Sequence, residues 1–457
     1  MMGFTEFKGK EILIVGLGKS GVSALEVLIS LGASCAVQET RSADNLPPEL
    51  MNMINANNVK CFLGQVPSTS DKFDMLVLSP GVSPEIEFIQ NAKNAGSEII
   101  GEMELAFRIC SGKFVAITGT NGKTTTTTLV GEIFKNAKRD FYVAGNIGKA
   151  VTSIANETRD NSWIIAETSS FQLETIKTFK PYISVMLNVS PDHLDRHKNM
   201  ENYIKAKAKI FENQDKSDYF VINYDDKQIY KLVDTCNAKV VPFSRIDELK
   251  YGAFVKDGKI VFCEEDGEIV PVCGTDEVLM QGTHNLENAL ASVACAYLAG
   301  ISSEVIAKTL KEFSGVEHRL EFCRELNGVK FINDSKGTNT DASIKAIEAV
   351  KEPIILIAGG YDKNSEFDDL VEAFSDKVKH MVLLGTTAEK IKKTAQDKGF
   401  NNSVILKDME ECVVKAYELA ESGYTVLLSP ACASQDMYKN FEERGDHFKD
   451  CVLRLEG

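Results

Sequence analysis

Short apolar runs rich in Val and Ile recur along this chain, and between them lie stretches whose apolar residues return every three or four positions. The runs read as buried parallel strands, and the stretches between them read as helices covering the sheet. A first group holds EILIVGLG from Glu11, a helix over 20–31, ASCAVQET from Ala33 and FDMLVLSPG from Phe73. A second opens with KFVAITGTNGKTTTTTLV at Lys113 and continues through FYVAGNIG, WIIAETSSFQLE, YISVMLNVSPDHLDRH and DYFVINYDD. Over 239–281 the texture changes to short strands with Asp257-Gly258 and Asp266-Gly267 between them, dipeptides favoured in tight hairpins. Helices over 284–299 and 302–313 close that block. A third group runs from FCRELNGVKFINDS through PIILIAGG, HMVLLGTT, SVILKD and YTVLLSPACAS to a last helix over 439–455. The expected fold class is α/β with a mostly parallel central sheet. At roughly 150 residues per domain, the 457 residues divide into about three. The expected boundaries are 1–101, 102–315 and 316–457.

Composition narrows the function. With 44% hydrophobic and 26% charged residues, the chain is neither a disordered tail nor a fibre nor a coiled coil. Its net charge of -15 makes nucleic acid and anionic membrane poor partners. Any anionic ligand must be held by local devices: backbone N–H groups, helix N-termini and a few placed cations. The 11 Cys include no CxxC pair, which argues against a disulfide framework or structural zinc and suits a reducing cytoplasm. No run reaches about 18 apolar residues, so no membrane insertion is expected, and the first residues lack the features of a secretory signal.

Candidate chemistry sits at strand ends. TGTNGKTT at Thr118–Thr125 ends one strand and opens a helix. Gly119 and Gly122 let the backbone around Thr120 and Asn121 curl toward an anion. Lys123 can reach outer phosphates, and the hydroxyls of Thr124 and Thr125 follow at the helix start, Thr124 placed to ligate Mg²⁺. The strict GxxxxGK[ST] pattern would need Gly at 117, where this chain has Ile117. Gly16-Leu17-Gly18-Lys19-Ser20-Gly21 follows another strand, and Glu39 ends the next at the distance of a ribose-binding acid. That geometry suits a dinucleotide, or any diphosphate such as that of a nucleotide-sugar, or tight strand–helix packing alone. Ser79 and Gly81 lie in SPGVSP, a turn whose donors can join that site.

In the middle domain, a phosphate loop needs a neighbouring carboxylate to complete a Mg²⁺ shell, and Glu167 in AETSSFQLE fits. His193 and His197 in HLDRH are four apart but lack the HExxH pattern of zinc proteases. Lys207 has Tyr203, Ile204, Ile210 and Phe211 at helical spacing, so it faces the apolar side of its helix. Burial disfavours its charge, and a neutral amine can add CO₂ to become an anionic carbamate; a snorkelling lysine is the other reading. In the third group Arg319, Asp334, Lys336, Thr338, Lys363, Ser434 and Phe441 follow or end strands, and together suggest an anionic small substrate.

These motifs in this order, with HNLENAL, EHRLE and SPACASQDMYKNFEERG, resemble the Mur ligase family of bacterial cell-wall synthesis over essentially the whole chain. The family's own loop is TGTNGK[ST], so Ile117 is no departure from it. The resemblance implies a Rossmann-like first domain for the UDP end of a sugar substrate, a central ATP-binding domain and a Rossmann-like third domain for an incoming amino acid. It implies that D-glutamate joins UDP-N-acetylmuramoyl-L-alanine through an acyl phosphate, with ATP as co-substrate and two Mg²⁺. It places Gly16, Gly18, Ser20, Gly21, Thr40, Arg41, Ser79, Gly81 and Asn146 at the UDP substrate. The loop residues Gly119–Thr125, Asn285 or Asn288, Arg319 and Asp334 fall at ATP. Lys336, Thr338, Lys363, Ser434 and Phe441 fall at D-glutamate. Lys123, Glu167, His193 and Lys207 would be catalytic, and Thr124, Glu167, His193 and carbamylated Lys207 would be the metal ligands. Small-molecule partners and a cytoplasmic monomer are expected. A folylpolyglutamate synthase would share the chemistry but not need Gly16–Gly21, Thr40 and Arg41. A Mur ligase for another amino acid stays open, although the DNPR motif of the diamino-acid type is absent. A non-catalytic nucleotide-binding regulator would have no use for Lys123, Glu167, His193 and Lys207 together.

Overall fold

The computed structural model describes residues 6–280, 282–361 and 365–456, and its backbone forms three sheets. In the first, β1 (Glu11–Val15), β2 (Ser34–Glu39), β3 (Lys60–Leu63), β4 (Met75–Leu78) and β5 (Glu98–Gly101) run parallel in the order β3-β2-β1-β4-β5. The inner strands β1 and β4 are almost wholly buried, which is why they stand out as continuous apolar runs. The outer strands β3 and β5 are short and less apolar, so they carry little signal.

The second sheet contains β6 (Lys113–Thr118), β7 (Phe141–Gly145), β8 (Trp163–Glu167), β9 (Ile183–Met186), β10 (Tyr219–Asn223), β11 (Lys239–Ser244), β12 (Gly252–Lys256), β13 (Lys259–Cys263) and β14 (Ile269–Gly274). Its order is β14-β13-β12-β11-β10-β9-β6-β8-β7, parallel from β7 to β12 and antiparallel at the hairpins β12–β13–β14. Asp257 and Gly258 both take positive φ, 50° and 72°, as a two-residue hairpin turn requires.

The helix Glu102–Ile109 leaves β5 directly. It places Leu105 and Ile109 in the core of the first sheet and Met103 and Ala106 in the core of the second. These two sheets belong to one compact unit, 1–277 with 287–311; a second unit comprises 278–286 and 312–457. In the second unit, β15 (Glu321–Leu326), β16 (Val329–Asn333), β17 (Ile354–Ala358), β18 (Val378–Leu383), β19 (Ser403–Ile405) and β20 (Thr425–Leu428) form a sheet in the order β15-β16-β20-β17-β18-β19. Only β15 is antiparallel to its neighbour. Apolar residues on both faces of this sheet are buried by helices. All 11 cysteines are free. Among the described residues no helix is long and apolar enough to cross a membrane.

Candidate active site

The loop Gly119–Gly122, the candidate for phosphate, lies at the C-terminal end of β6, the strand end where open α/β sheets bind ligands. Parallel pairing sets Ile117 beside Glu167 and Thr118 beside Met186, so β8 and β9 deliver their own ends to the same place. Gly119 has φ 154° and Gly122 φ 84°, the second in left-handed backbone just before the helix Lys123–Asn136. Asn188 braces the curl: its Oδ1 accepts Asn121 N at 2.9 Å and its Nδ2 donates to Asn121 O at 3.1 Å. Lys123 folds back over the loop, donating to Gly119 O at 2.9 Å and Thr120 O at 2.7 Å. Thr125 Oγ1 is buried, with no hydrogen-bond partner among the described residues.

Glu167 is buried and takes a hydrogen bond on each oxygen, from Thr124 Oγ1 at 2.7 Å and from Asn146 Nδ2 at 3.0 Å. Carboxylate, hydroxyl and imidazole are hard or borderline donors, and Thr124 and Glu167 already meet; this set fits a divalent cation such as Mg²⁺. No cluster of three His, Cys, Asp or Glu suited to a metal occurs among the described residues, so the fit depends on the hydroxyl. His193 takes left-handed backbone, φ 53°, and its ring packs edge-on against Phe171 with centroids 4.9 Å apart. His197 belongs to a different network: its Nε2 lies 2.9 Å from Ser170 Oγ and its ring stacks on the same Phe171 at 5.4 Å.

Lys207 is 1% exposed, as its apolar neighbours require. Its ammonium donates to Gly119 O at 2.8 Å and lies 4.5 Å from the centre of the Tyr203 ring. Burial drives its pKa well below the ordinary lysine value, and the nearby Lys123 charge drives it further down. Tyr203 hydrogen-bonds Thr120 Oγ1 at 3.3 Å, a role that its place in an ordinary apolar stripe did not signal. Asn288 Oδ1 accepts Thr126 Oγ1 at 3.3 Å and lies where a Cβ on Gly122 would sit, 2.2 Å away. Asn288 is therefore the asparagine on the loop, while Asn285 is buried one turn earlier, in the part of that helix belonging to the second unit.

In the first sheet's domain, Glu39 does not project as an open acid. Its Oε2 accepts Leu17 N at 2.8 Å and Arg41 Nη2 at 3.0 Å, and its Oε1 accepts Thr40 Oγ1 at 3.1 Å and Arg41 N at 3.2 Å. The Arg41 guanidinium first, with the loop N–H groups, holds its carboxyl down at about 2 against the opposing effect of burial. Glu39 thus fixes the loop at Leu17 to Thr40 and Arg41. Ser79 Oγ is likewise committed, donating to Gly16 O at 2.8 Å. Gly21 is needed for close packing, because a Cβ there would fall 1.8 Å from Gly16 O. Gly18 and Gly81 face open space, and Ser20 opens the helix Lys19–Ser30 beside them.

In the second unit, Asp334 is buried and accepts Ser429 Oγ at 2.7 Å and Leu320 N at 3.3 Å. Burial pushes its carboxyl up to about 6, against the pull of Arg319. Arg319 Nε is buried, with no hydrogen-bond partner among the described residues. Next to Arg319, burial and that cation push His284 down to about 3. Lys336 lies 5.0 Å from the centre of the Phe441 ring, so these two meet. Ser434 is buried on the loop after β20, and Thr338 lies on the turn two residues beyond Lys336. Lys363 falls outside the described residues.

Comparison with known proteins agrees with this arrangement. Residues 10–101 match the Mur ligase MurD-like N-terminal domain, 117–296 the Mur ligase middle domain and 318–432 the Mur ligase glutamate ligase domain. A UDP-N-acetylmuramoylalanine--D-glutamate ligase of Thermoanaerobacter sp. (strain X514) is 50% identical over 453 residues, covering 98% of this chain and 99% of its own. The protein of that name from Clostridioides difficile (strain 630) is 49% identical over 452 residues, covering 99% and 100%. Among solved structures, MurF ligase from Thermotoga maritima in complex with ADP aligns with a TM-score of 0.61 at 18% identity, over 100% of this chain and 98% of that one. UDP-N-acetylmuramate-alanine ligase MurC from Thermotoga maritima aligns with a TM-score of 0.60 at 18% identity, over 97% and 99%. At that identity the likeness speaks for the fold.

Proposed function

The chain belongs to the Mur ligase family, and on that premise we propose that it joins D-glutamate to UDP-N-acetylmuramoyl-L-alanine with cleavage of ATP to ADP, a step in peptidoglycan precursor synthesis. The observation that carries this reading is the full-length identity of about 50% to relatives named for that reaction. The site's chemistry agrees with it. Gly16, Gly18, Ser20, Gly21, Thr40, Arg41, Ser79, Gly81 and Asn146 would receive the UDP substrate. The open space at Gly18 and Gly81 favours this, as does the Arg41 guanidinium held by Glu39.

The substrate carboxylate attacks the γ-phosphorus, the bond to ADP breaks, and an acyl phosphate forms. The D-glutamate amine then attacks the carbonyl carbon, loses a proton, and phosphate leaves. Two anions must meet in the first step, so Lys123 would leave its loop carbonyls to neutralise the transferring group. Loop amides from Gly119 to Thr125 and Asn288 would hold the phosphates, with Arg319 and Asp334 toward the nucleotide. Thr124, Glu167 and His193, with Lys207 as its carbamate, would hold two Mg²⁺, which would screen phosphate charge when bound. The depressed basicity of Lys207 favours the neutral amine that CO₂ requires. Lys336, Thr338, Lys363, Ser434 and Phe441 would take D-glutamate. We place the protein in the cytoplasm as a monomer with domains 1–101, 102–315 and 316–457.

The test is ADP release by the full chain with UDP-N-acetylmuramoyl-L-alanine across a panel of amino acids. Stimulation by D-glutamate is the expected result. Stimulation by L-alanine or a diamino acid instead, or turnover of a folate in place of the sugar nucleotide, would refute the reading.

A further inference from the structure

Arg444 stands on the buried face of the helix Phe441–Arg454, in line with Phe448, Cys451 and Val452, and is 2% exposed. A guanidinium in that position must find oxygen for its N–H groups. Nε donates to Ser335 Oγ at 3.0 Å and Nη2 to Ser335 O at 2.8 Å. Nη1 donates to Cys432 O and Ala433 O, both at 3.1 Å. The acceptors lie on two separate loops, one leaving β16 between Asp334 and Lys336 and one leaving β20 between Ser429 and Ser434. A third loop joins them: Tyr361 N, just after β17, donates to Ala433 O at 2.9 Å, and a Cβ on Gly360 would sit 3.1 Å from Nη1. The loop after β20 has to be held against its own preference, because Ala431 takes left-handed backbone at φ 58°.

The acceptors of Arg444 are carbonyl and hydroxyl oxygens, and among the described residues no carboxylate forms an ion pair with it. Asp436 and Asp334 act on it only from beyond ion-pair distance, and a buried charge without a direct ion pair is costly where an apolar side chain would pack. Burial lowers the guanidinium only to about 10, so it stays charged at neutral pH. The loops it bonds carry Lys336 and Ser434, and Phe441 opens its own helix. We propose that Arg444 is a positioning residue for the amino-acid substrate: its fork sets Lys336 and Ser434 at the spacing that receives two carboxylates. This rests on the reading of D-glutamate as the acceptor.

Steady-state kinetics of the full chain, varying each substrate in turn, test it. Arg444→Lys keeps a charge but cannot bridge both loops. It should raise KM for D-glutamate by about tenfold or more while KM for ATP and for the sugar nucleotide stay within about twofold. Arg444→Ala should regain D-glutamate affinity with added guanidinium and not with added ammonium. If neither variant folds, Ser335→Ala, which removes one acceptor and leaves the charge, should show the same selective rise at about threefold. An unchanged D-glutamate KM in a folded variant, or an equal rise for all three substrates, would overturn the role of Arg444. Failure of the wild-type chain to use D-glutamate would instead overturn the substrate reading, so the two outcomes are separable.

Discussion

Asp334 is a carboxyl enclosed by protein, with its pKa pushed up to about 6 by burial. In the unfolded chain it would titrate near 3.8. Between these values the folded chain holds a proton that the unfolded chain has lost, so this residue's contribution to stability falls as pH rises and is at its worst above about 6. Asp334→Asn should therefore gain on the parent chain by about 3 kcal/mol between about pH 3 and about pH 8, at about 1.36 kcal/mol for each tenfold difference in proton affinity. Urea titrations at the two pH values, compared as a difference of differences, read this directly and cancel the constant cost of any hydrogen bond the amide makes badly. Such a carboxyl is retained despite its cost, which is expected of a group with work to do at a site. Residue by residue, legibility depended on whether partners were near in sequence. Lys207 betrays itself as a cation among Tyr203, Ile204, Ile210 and Phe211. Arg444 obeys the same logic with Phe448, Cys451 and Val452, yet an Arg in an acid-rich helix start reads as a surface residue until its partners at Ser335, Cys432 and Ala433 are seen.

At the scale of elements, the strand–loop–helix unit from Lys113 to Asn136 is where sequence and structure agree most closely, because every feature of it is local. Gly122 shows why the agreement is strict. Its φ of 84° strains any L side chain, and its Cβ would meet Asn288 Oδ1 at 2.2 Å. Gly122→Ala is expected to cost at least about 1–2 kcal/mol and to displace Asn288 from the loop. Calorimetric titration with an ATP analogue should then show binding weakened by about tenfold or more, about 1.4 kcal/mol, with little change in sugar-nucleotide binding. The hairpins at Asp257-Gly258 and Asp266-Gly267 were legible for the same local reason. Strands β3 and β5 were not, since four-residue strands at the edges of a sheet owe their pairing to the sheet already formed. Glu39 was legible as an acid at a strand end, but its role was not, because one of the N–H groups it accepts belongs to Leu17, 22 residues away.

For the whole molecule, the helix Glu102–Ile109 matters most, since it feeds side chains into two cores. Glu104 anchors it from within. Its carboxylate accepts Lys177 N at 2.8 Å, Thr178 N at 2.9 Å, Phe179 N at 2.9 Å, Thr178 Oγ1 at 2.6 Å and Arg108 Nε at 2.9 Å. Burial alone would raise its pKa, but these donors prevail and hold it below the ordinary value. The stability it confers is present above about pH 4.5 and is lost as pH falls further. Glu104→Ala leaves the Thr178 hydroxyl and three backbone N–H groups without their acceptor, while Arg108 keeps Glu6 and Glu98, and should cost about 2–4 kcal/mol. Differential scanning calorimetry should show the transition of the unit containing residues 1–277 moving down in temperature while that of 312–457 stays in place. A single transition moving as one would contradict this. None of this backbone network could be read from spacing, because its N–H groups lie more than 70 residues away from Glu104.

The folded-back Lys123 has a consequence for ligand choice. With its ammonium bound to the carbonyls of Gly119 and Thr120, the lysine is already satisfied from within the loop. A newcomer enters by exchange, and must offer the lysine a stronger acceptor than two neutral oxygens. With this loop as the nucleotide site, adenosine or AMP, having no phosphate beyond the first, has nothing to trade, and the resting loop itself would discriminate against them.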